Sequence, residues 1–187
     1  MTTVTDDQLI DEALRGRSAS FGQLVTKYQD RLYTALVHVT GSADDARDAA
    51  QDAFVQAFVK LNSFHRESAF YTWLYRIAFN TAISSARRKK THASIEQCRE
   101  SVGLEPLGRD EAPTEGIERD ERAVQVRSAL ASLPHDYRVV VVLREIDGCD
   151  YEQISEILDV PVGTVRSRLH RARLQLKDHL KAAMQIE

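Results

Sequence analysis

Little in this sequence breaks a helix, and little in it builds a sheet. Its 187 residues include only 8 Gly and 4 Pro, the residues that punctuate regular structure most strongly. Alternation of β-branched residues is scarce, so the chain reads as helical throughout. No run of 18 apolar residues occurs, which argues against a membrane-spanning helix and membrane insertion. The first residues, MTTVTDDQLIDEALRG, are acidic and lack an apolar signal core, so a cytoplasmic location is expected. The two cysteines, Cys98 and Cys149, are far apart with no CxxC spacing. A zinc site or any other metal site is therefore not expected. Neither a phosphate-cradling glycine loop nor a nucleophile with an oriented base is visible, so no catalytic residue and no cofactor are expected.

What the sequence does have is charge, unevenly spread. The net charge is −3, which predicts weak non-specific DNA binding by the free protein. Yet Arg166, Arg168, Arg171, Arg173, Lys177 and Lys181 crowd one segment, and Arg87, Arg88, Lys89 and Lys90 another, while acids concentrate between Glu96 and Glu121. Local fields decide docking on phosphate more than the total does.

The first cationic segment lies in DYEQISEILDVPVGTVRSRLHRARLQLKDHL, Asp150 to Leu180. Ile154, Ile157 and Leu158 give a short helix one apolar face. Asp159-Val160-Pro161 interrupts the pattern, and Pro161 suits the first position of a new helix. Val165, Leu169, Ala172, Leu176 and Leu180 then form a buried stripe. Arg166, Ser167, His170 and Arg171 lie opposite, with Arg168 on the flank. This is the layout of a helix-turn-helix with a recognition helix. Arginine forks match guanine edges and phosphates alike. The plain alternative is a solvated basic face, but Gly163-Thr164 followed by Arg-Ser-Arg offers close approach and a short hydroxyl as well as charge.

Ahead of it, four helices are expected before residue 90. They run from Asp6 to Arg15, from a Ser18 or Ser20 cap to about Val39, from Ala43 to Leu61, and from about Phe70 to Lys90. Helical pattern fades from Thr91 to about Gly116, where Pro106, Gly108, Pro113 and Gly116 sit among acids, as in an extended linker. It returns from Ile117 to Ser132 and from His135 to Ile146. There Val139 to Leu143 would suit a buried strand on propensity alone, but its helical neighbours favour a helix. The fold class is thus all-α: two helical domains, 6–92 and 119–183, joined by an acidic linker, 93–118.

The stretch Leu61 to Lys90 places Phe64, Phe70, Tyr71, Trp73, Tyr75 and Phe79 in and after a loop, and ends in four cations. These aromatics either fill the helical core or stack on unpaired bases while the cations hold phosphates; a loop pocket could take a flipped base. SAFYTWLYRIAFNTA (Ser68 to Ala82) resembles the promoter-opening segment of the extracytoplasmic-function (ECF) group of bacterial sigma-70 factors, nearest to the envelope-stress type. Asp44 to Phe64 is similar to their polymerase-binding helix, and Asp150 to Arg173 to their second DNA-binding domain. The three motifs stand in family order.

That resemblance implies a transcription initiation factor rather than an enzyme. Core RNA polymerase, through its beta and beta-prime subunits, would be bound by Asp48, Gln51, Asp52 and Phe54. Promoter DNA at the −10 element would meet Phe64, Ser68, Phe70, Tyr71, Trp73 and Asn80, with Arg76, Arg87, Arg88, Lys89 and Lys90 on the backbone. Asn80 would read a base edge or cap local backbone. The −35 element would meet Gly163, Thr164, Arg166, Ser167, Arg168, His170 and Arg171; His170 would tune the sequence preference or rest on phosphate. The acidic linker would mimic nucleic acid or act as a solvated tether. An anti-sigma factor is an implied partner. Ile83 and Ser84 depart from the family pattern, where more polar or basic groups are expected. A dimeric stand-alone helix-turn-helix regulator is the alternative that the second half alone would allow.

Overall fold

Helix ends in this chain follow from side-chain chemistry within a few residues. The computed structural model describes the backbone of residues 4–96 and 117–184 and the side chains of residues 4–84 and 125–181. Cys98, most of the expected linker and the side chains of Arg87, Arg88, Lys89 and Lys90 lie outside these. Helix α1 (Asp6–Leu14) starts in a reciprocal capping box: Gln8 N–H donates to Thr5 Oγ1, and Thr5 N–H to Gln8 Oε1, so two orphan donors are satisfied at once. Helix α2 (Ser18–Thr40) has no side-chain cap. The expected cap Ser20 instead lies inside it, buried, donating to Glu12 Oε2 at 2.6 Å. Gly41 ends α2 at φ +74°, a conformation that suits glycine. Ser42 then caps α3 (Ala43–Val59) through Asp45 N–H.

A 3-10 turn, Leu61–Ser63, leads through a loop to α4 (Phe70–Glu96). The helix continues past the point where the sequence pattern fades. Helix α5 (Ile117–Ser132) precedes α6 (His135–Val141), which passes directly into a π-helical turn, Val142–Ile146. The apolar run Val139 to Leu143 is thus helical, as its context favours over strand propensity, and it is fully inside. Asp150 caps α7 (Tyr151–Leu158) with a second box through Gln153. Asp159 ends α7 in a left-handed conformation, φ +53°, and α8 (Val162–Met184) follows. Pro161 precedes the first helical residue rather than being it, and its carbonyl accepts from Thr164 and Val165 N–H. The described residues contain helices and turns and no strand.

Packing follows the helical stripes. Ala46, Ala49, Ala50, Ala53 and Ala57 line the inward face of α3. Such small side chains let α3 approach its neighbours closely. Leu24, Leu32, Leu36 and Val39 of α2 and Leu74, Tyr75, Ala78 and Phe79 of α4 complete this part of the core. The core does not stop there. It runs on through Val139 to Leu143, Ile154, Ile157, Val165, Leu169 and Ala172 as one cluster.

The two halves of the chain therefore share an interior, with a polar seam along it. Arg31 Nε donates to Asp147 Oδ1 at 2.9 Å. The Tyr71 hydroxyl and Cys149 Sγ are 2.8 Å apart. Arg138 donates to the carbonyls of Leu130, Ala131 and Leu133 near the end of α5 and to Val39 near the end of α2. A guanidinium there satisfies carbonyls that have no partner within their own helices.

Candidate nucleic-acid interface

The helix-turn-helix presents the face its spacing predicts. Val165, Leu169 and Ala172 of α8 are buried against α6 and α7, and Leu176 is half-buried. Arg166, Ser167, His170 and Arg171 are exposed on the other side, and Arg168 is half-buried on the flank. Gly163 is also exposed, and a Cβ built there would meet nothing within 4 Å. The fold itself does not require a glycine at this place. A need for it would come from a ligand backbone approaching the start of α8.

The cations of this face are not equivalent. Arg168 Nη2 reaches Asp136 Oδ2 at 2.7 Å. Arg173 donates through Nε and Nη2 to Glu145 Oε1 at 3.1 and 2.6 Å, and that contact raises its pKa. The Arg166 guanidinium sits 5.7 Å from the Tyr151 ring, which Arg144 approaches at 5.1 Å. Among the described residues Arg171 and His170 have no ion-pair partner. They are the groups freest to turn toward a base edge.

In the first half, α4 has two working faces. Trp73, Arg76, Asn80 and Thr81 of α4 line a cleft of about 490 Å³ with Gln56 of α3 and Lys60 just beyond its end. Gln56 Nε2 donates across it to Thr81 Oγ1 at 3.2 Å. Trp73 is half-buried, its ring 5.1 Å from Phe64 and 5.9 Å from Phe70. Arg76 and Asn80 are exposed. Arg76 Nη2 lies 3.8 Å from Asp159 Oδ1 in the turn of the second half. An aromatic wall, amides, hydroxyls and cations in one open cleft suit an unstacked base and its phosphate.

The opposite face of α4 turns inward. Phe64, Phe70 and Tyr71 are buried, and Tyr71 lies against the second half through Cys149. Burial raises the pKa of both the Tyr71 phenol and the Cys149 thiol. Ser68 is half-buried in the loop. The expected base contacts thus divide. Trp73, Arg76 and Asn80 share the cleft, Phe64 and Phe70 back its Trp73 wall, and Tyr71 stands apart. Gln56, Lys60 and Thr81 belong to the cleft too and were not expected from the sequence. Their signal was the match of 56 and 60, on and just after α3, with 73, 76 and 80 on α4, which shows only once the helices are paired.

The loop ahead of α4 is tied to α1. Arg66 holds a left-handed backbone, φ +60°, and its guanidinium bonds to Asp11, with Asp7 at 3.8 Å. On α3, Asp48, Gln51 and Asp52 are exposed, but Phe54 is buried in the core. The apolar groups exposed beside those acids are Val55, Phe58 and Val59. The result is a mixed acidic and apolar strip open to a partner.

Two family models match the chain: Sigma-70 region 2 over residues 24–92 and Sigma-70, region 4, over residues 123–176. The RNA polymerase sigma-H factor of Pseudomonas aeruginosa is 39% identical over 178 residues, 92% of each chain. The ECF RNA polymerase sigma-E factor of Escherichia coli K12 is 39% identical over 175 residues, 91% of each chain. That of Haemophilus influenzae is 36% identical over 97% of this chain and 98% of its own. Among solved structures, CnrH in complex with the cytosolic domain of CnrY superposes with a TM-score of 0.67 at 28% identity, over 93% of this chain and 96% of that one. The sigma factor RpoE of Bartonella quintana, in complex with the anti-sigma factor NepR, gives 0.68 at 26% identity, over 86% and 96%. The resemblance read from three short motifs thus extends over nearly the whole chain, and the chain belongs to the ECF group of the sigma-70 family.

Proposed function

We propose that this chain is a transcription initiation factor that binds core RNA polymerase, directs it to promoters through −35 and −10 elements, and holds the opened strand. The single observation that carries this reading is the pairing of two unlike DNA-facing sites in one chain. One is a recognition helix fit for a duplex major groove. The other is an aromatic-walled polar cleft fit for an unstacked base. A duplex-only regulator has no use for the second.

In this reading Arg166, Ser167, His170 and Arg171 meet the −35 duplex, supported by Gly163, Thr164 and Arg168. Trp73, Arg76 and Asn80 take the non-template strand at −10, with Phe64, Ser68 and Phe70 shaping the site and Arg87 to Lys90 on phosphates. Tyr71 joins only if the two halves separate. Asp48, Gln51 and Asp52, with Val55, Phe58 and Val59 beside them, face the beta-prime and beta subunits, and Phe54 supports that helix from below. The chain needs no chemistry of its own, because polymerase supplies it, and it works where polymerase and chromosome are, in the cytoplasm. The working units are 6–92 and 119–183, joined by the acidic tether 93–118. Because one solved neighbour is held in complex with the anti-sigma factor NepR, an anti-sigma protein is the natural inhibitor.

Run-off transcription on a promoter library, with purified core polymerase, tests this. Transcripts that depend on the chain and share two spaced elements support it. Duplex binding by the folded chain with no such transcripts favours the stand-alone regulator.

A further inference from the structure

At the seam between the two halves a buried carboxylate meets one half-exposed cation. The Asp147 side chain is 3% exposed. Its Oδ1 accepts from Arg31 Nε at 2.9 Å, and its main-chain oxygen accepts from Arg31 Nη2 at 2.5 Å. The same guanidinium lies 4.3 Å over the Tyr71 ring and 3.3 Å from its hydroxyl. That hydroxyl meets Cys149, which is itself buried. Arg31 and Tyr71 come from α2 and α4, and Asp147 and Cys149 from the turn before α7. The π-helical turn and Gly148, at φ +70°, bring Asp147 and Cys149 to the seam together.

Behind them, Asp147 Oδ2 and Tyr75 Oη are both buried, and burial together with the Asp147 carboxylate raises the pKa of the Tyr75 phenol. Arg31 is half-exposed and Asp147 is not, so losing Arg31 leaves a buried carboxylate without its cation, a costly change, while losing the carboxylate leaves a cation that water can still reach.

Geometry supplies the need for opening. A compact chain of 187 residues has a radius of gyration of about 16 Å. The roughly 25 base pairs from −35 to −10 extend about 85 Å. α4 and α8 cannot reach both elements while their halves share a core. The 20 residues from 97 to 116 can span at most about 70 Å when fully extended, enough to let the halves part.

We infer that Arg31 and Asp147 form an interdomain latch: positioning residues that hold the two halves closed, and whose separation is the step that lets α4 and α8 engage separate DNA elements. The latch is built into this chain and needs no inhibitor to form. The inference rests on the reading of the chain as a two-element promoter binder, but its test uses the free protein.

Cys149 reports the state of the seam. In a Cys98→Ser background it is the remaining thiol, and closed packing shields it. Its alkylation by iodoacetamide, followed by mass spectrometry without denaturant, measures opening, and circular dichroism confirms that helices persist. Arg31→Ala should speed labelling at least tenfold, because it strands the Asp147 carboxylate. Asp147→Asn alone should label within threefold of wild type, since Arg31 is half-exposed and stays hydrated. Adding Asp147→Asn to Arg31→Ala should slow labelling at least threefold relative to Arg31→Ala. A merely structural role predicts the opposite, further acceleration. A rise of less than threefold in Arg31→Ala, or no slowing in the double variant, overturns the latch. Should Arg31→Ala not fold, Arg31→Lys keeps the charge but loses the fork, and it must exceed the same threefold threshold. Run-off transcription by the wild type separately scores the promoter reading.

Discussion

At the residue scale, the side chains proposed to face DNA differ in what already holds them. Arg168 is tied to Asp136, so in the proposed reading that acid subtracts a cation from the −35 face. Asp136→Asn should steepen the salt dependence of duplex binding by up to about one unit of log K per log salt, since one neutralised phosphate contributes about 0.9. Anisotropy titrations across salt read the slope, with Asp30→Asn, on exposed α2, as the control that should leave it unchanged. Gly163→Ala makes the complementary test. A Cβ there meets open space, so urea unfolding should change by less than about 0.5 kcal/mol, the usual range for surface substitutions. Affinity for the −35 duplex should nonetheless fall if DNA approaches that backbone. Trp73 is half-buried between Phe64 and the cleft. Trp73→Ala should cost about 2 kcal/mol, below the roughly 3–5 kcal/mol for a fully buried ring. It should also impair strand opening more than −35 duplex binding, a split that heparin-resistant complex assays resolve.

At the scale of elements, sequence pattern and structure agree where local chemistry decides. The helices have caps and stripes visible in the chain, such as the Asp150 box and the Val165, Leu169, Ala172 stripe. What was not legible depended on partners far away in sequence. Phe54 shares the spacing of Ala46 and Ala50 and is buried with them, so the resemblance that makes it a polymerase contact runs against its own periodicity, while Phe58, one step further on the same spacing, is exposed. Tyr71 reads as a base-stacking ring, but its hydroxyl meets Cys149, and no periodicity reports that pairing. The π-helical turn after α6 has no sequence signature, and it sets where Asp147 points. Near the end of α2, His38 carries a further consequence. Its Nδ1 is buried without a hydrogen-bond partner among the described residues, and burial, helped by the charge of Arg127, lowers its pKa from 6.5. Below that value the unfolded chain takes up a proton that the folded site resists, so stability is full above pH 6.5 and is lost as pH falls below it. Urea midpoints at pH 7.5 and 5.5 should drop more for wild type than for His38→Gln.

At the scale of the whole molecule, the two proposed DNA-binding surfaces are folded over one interior. The cleft of α4 stays open in this closed form, although Arg76 on its rim lies 3.8 Å from Asp159 of the second half. The exposed strip of α3 is open as well. In the proposed reading polymerase meets the chain before it opens, and the mild negative charge of the chain keeps its non-specific hold on DNA weak. Promoter reading then becomes a property of the assembly with polymerase. The most direct test is strand opening on a duplex promoter carrying 2-aminopurine at a −10 position. Fluorescence should rise only when the chain and core polymerase are both present, and Asn80→Ala should reduce it. A chain that binds the same duplex as a dimer, with no polymerase-dependent rise, would contradict this account.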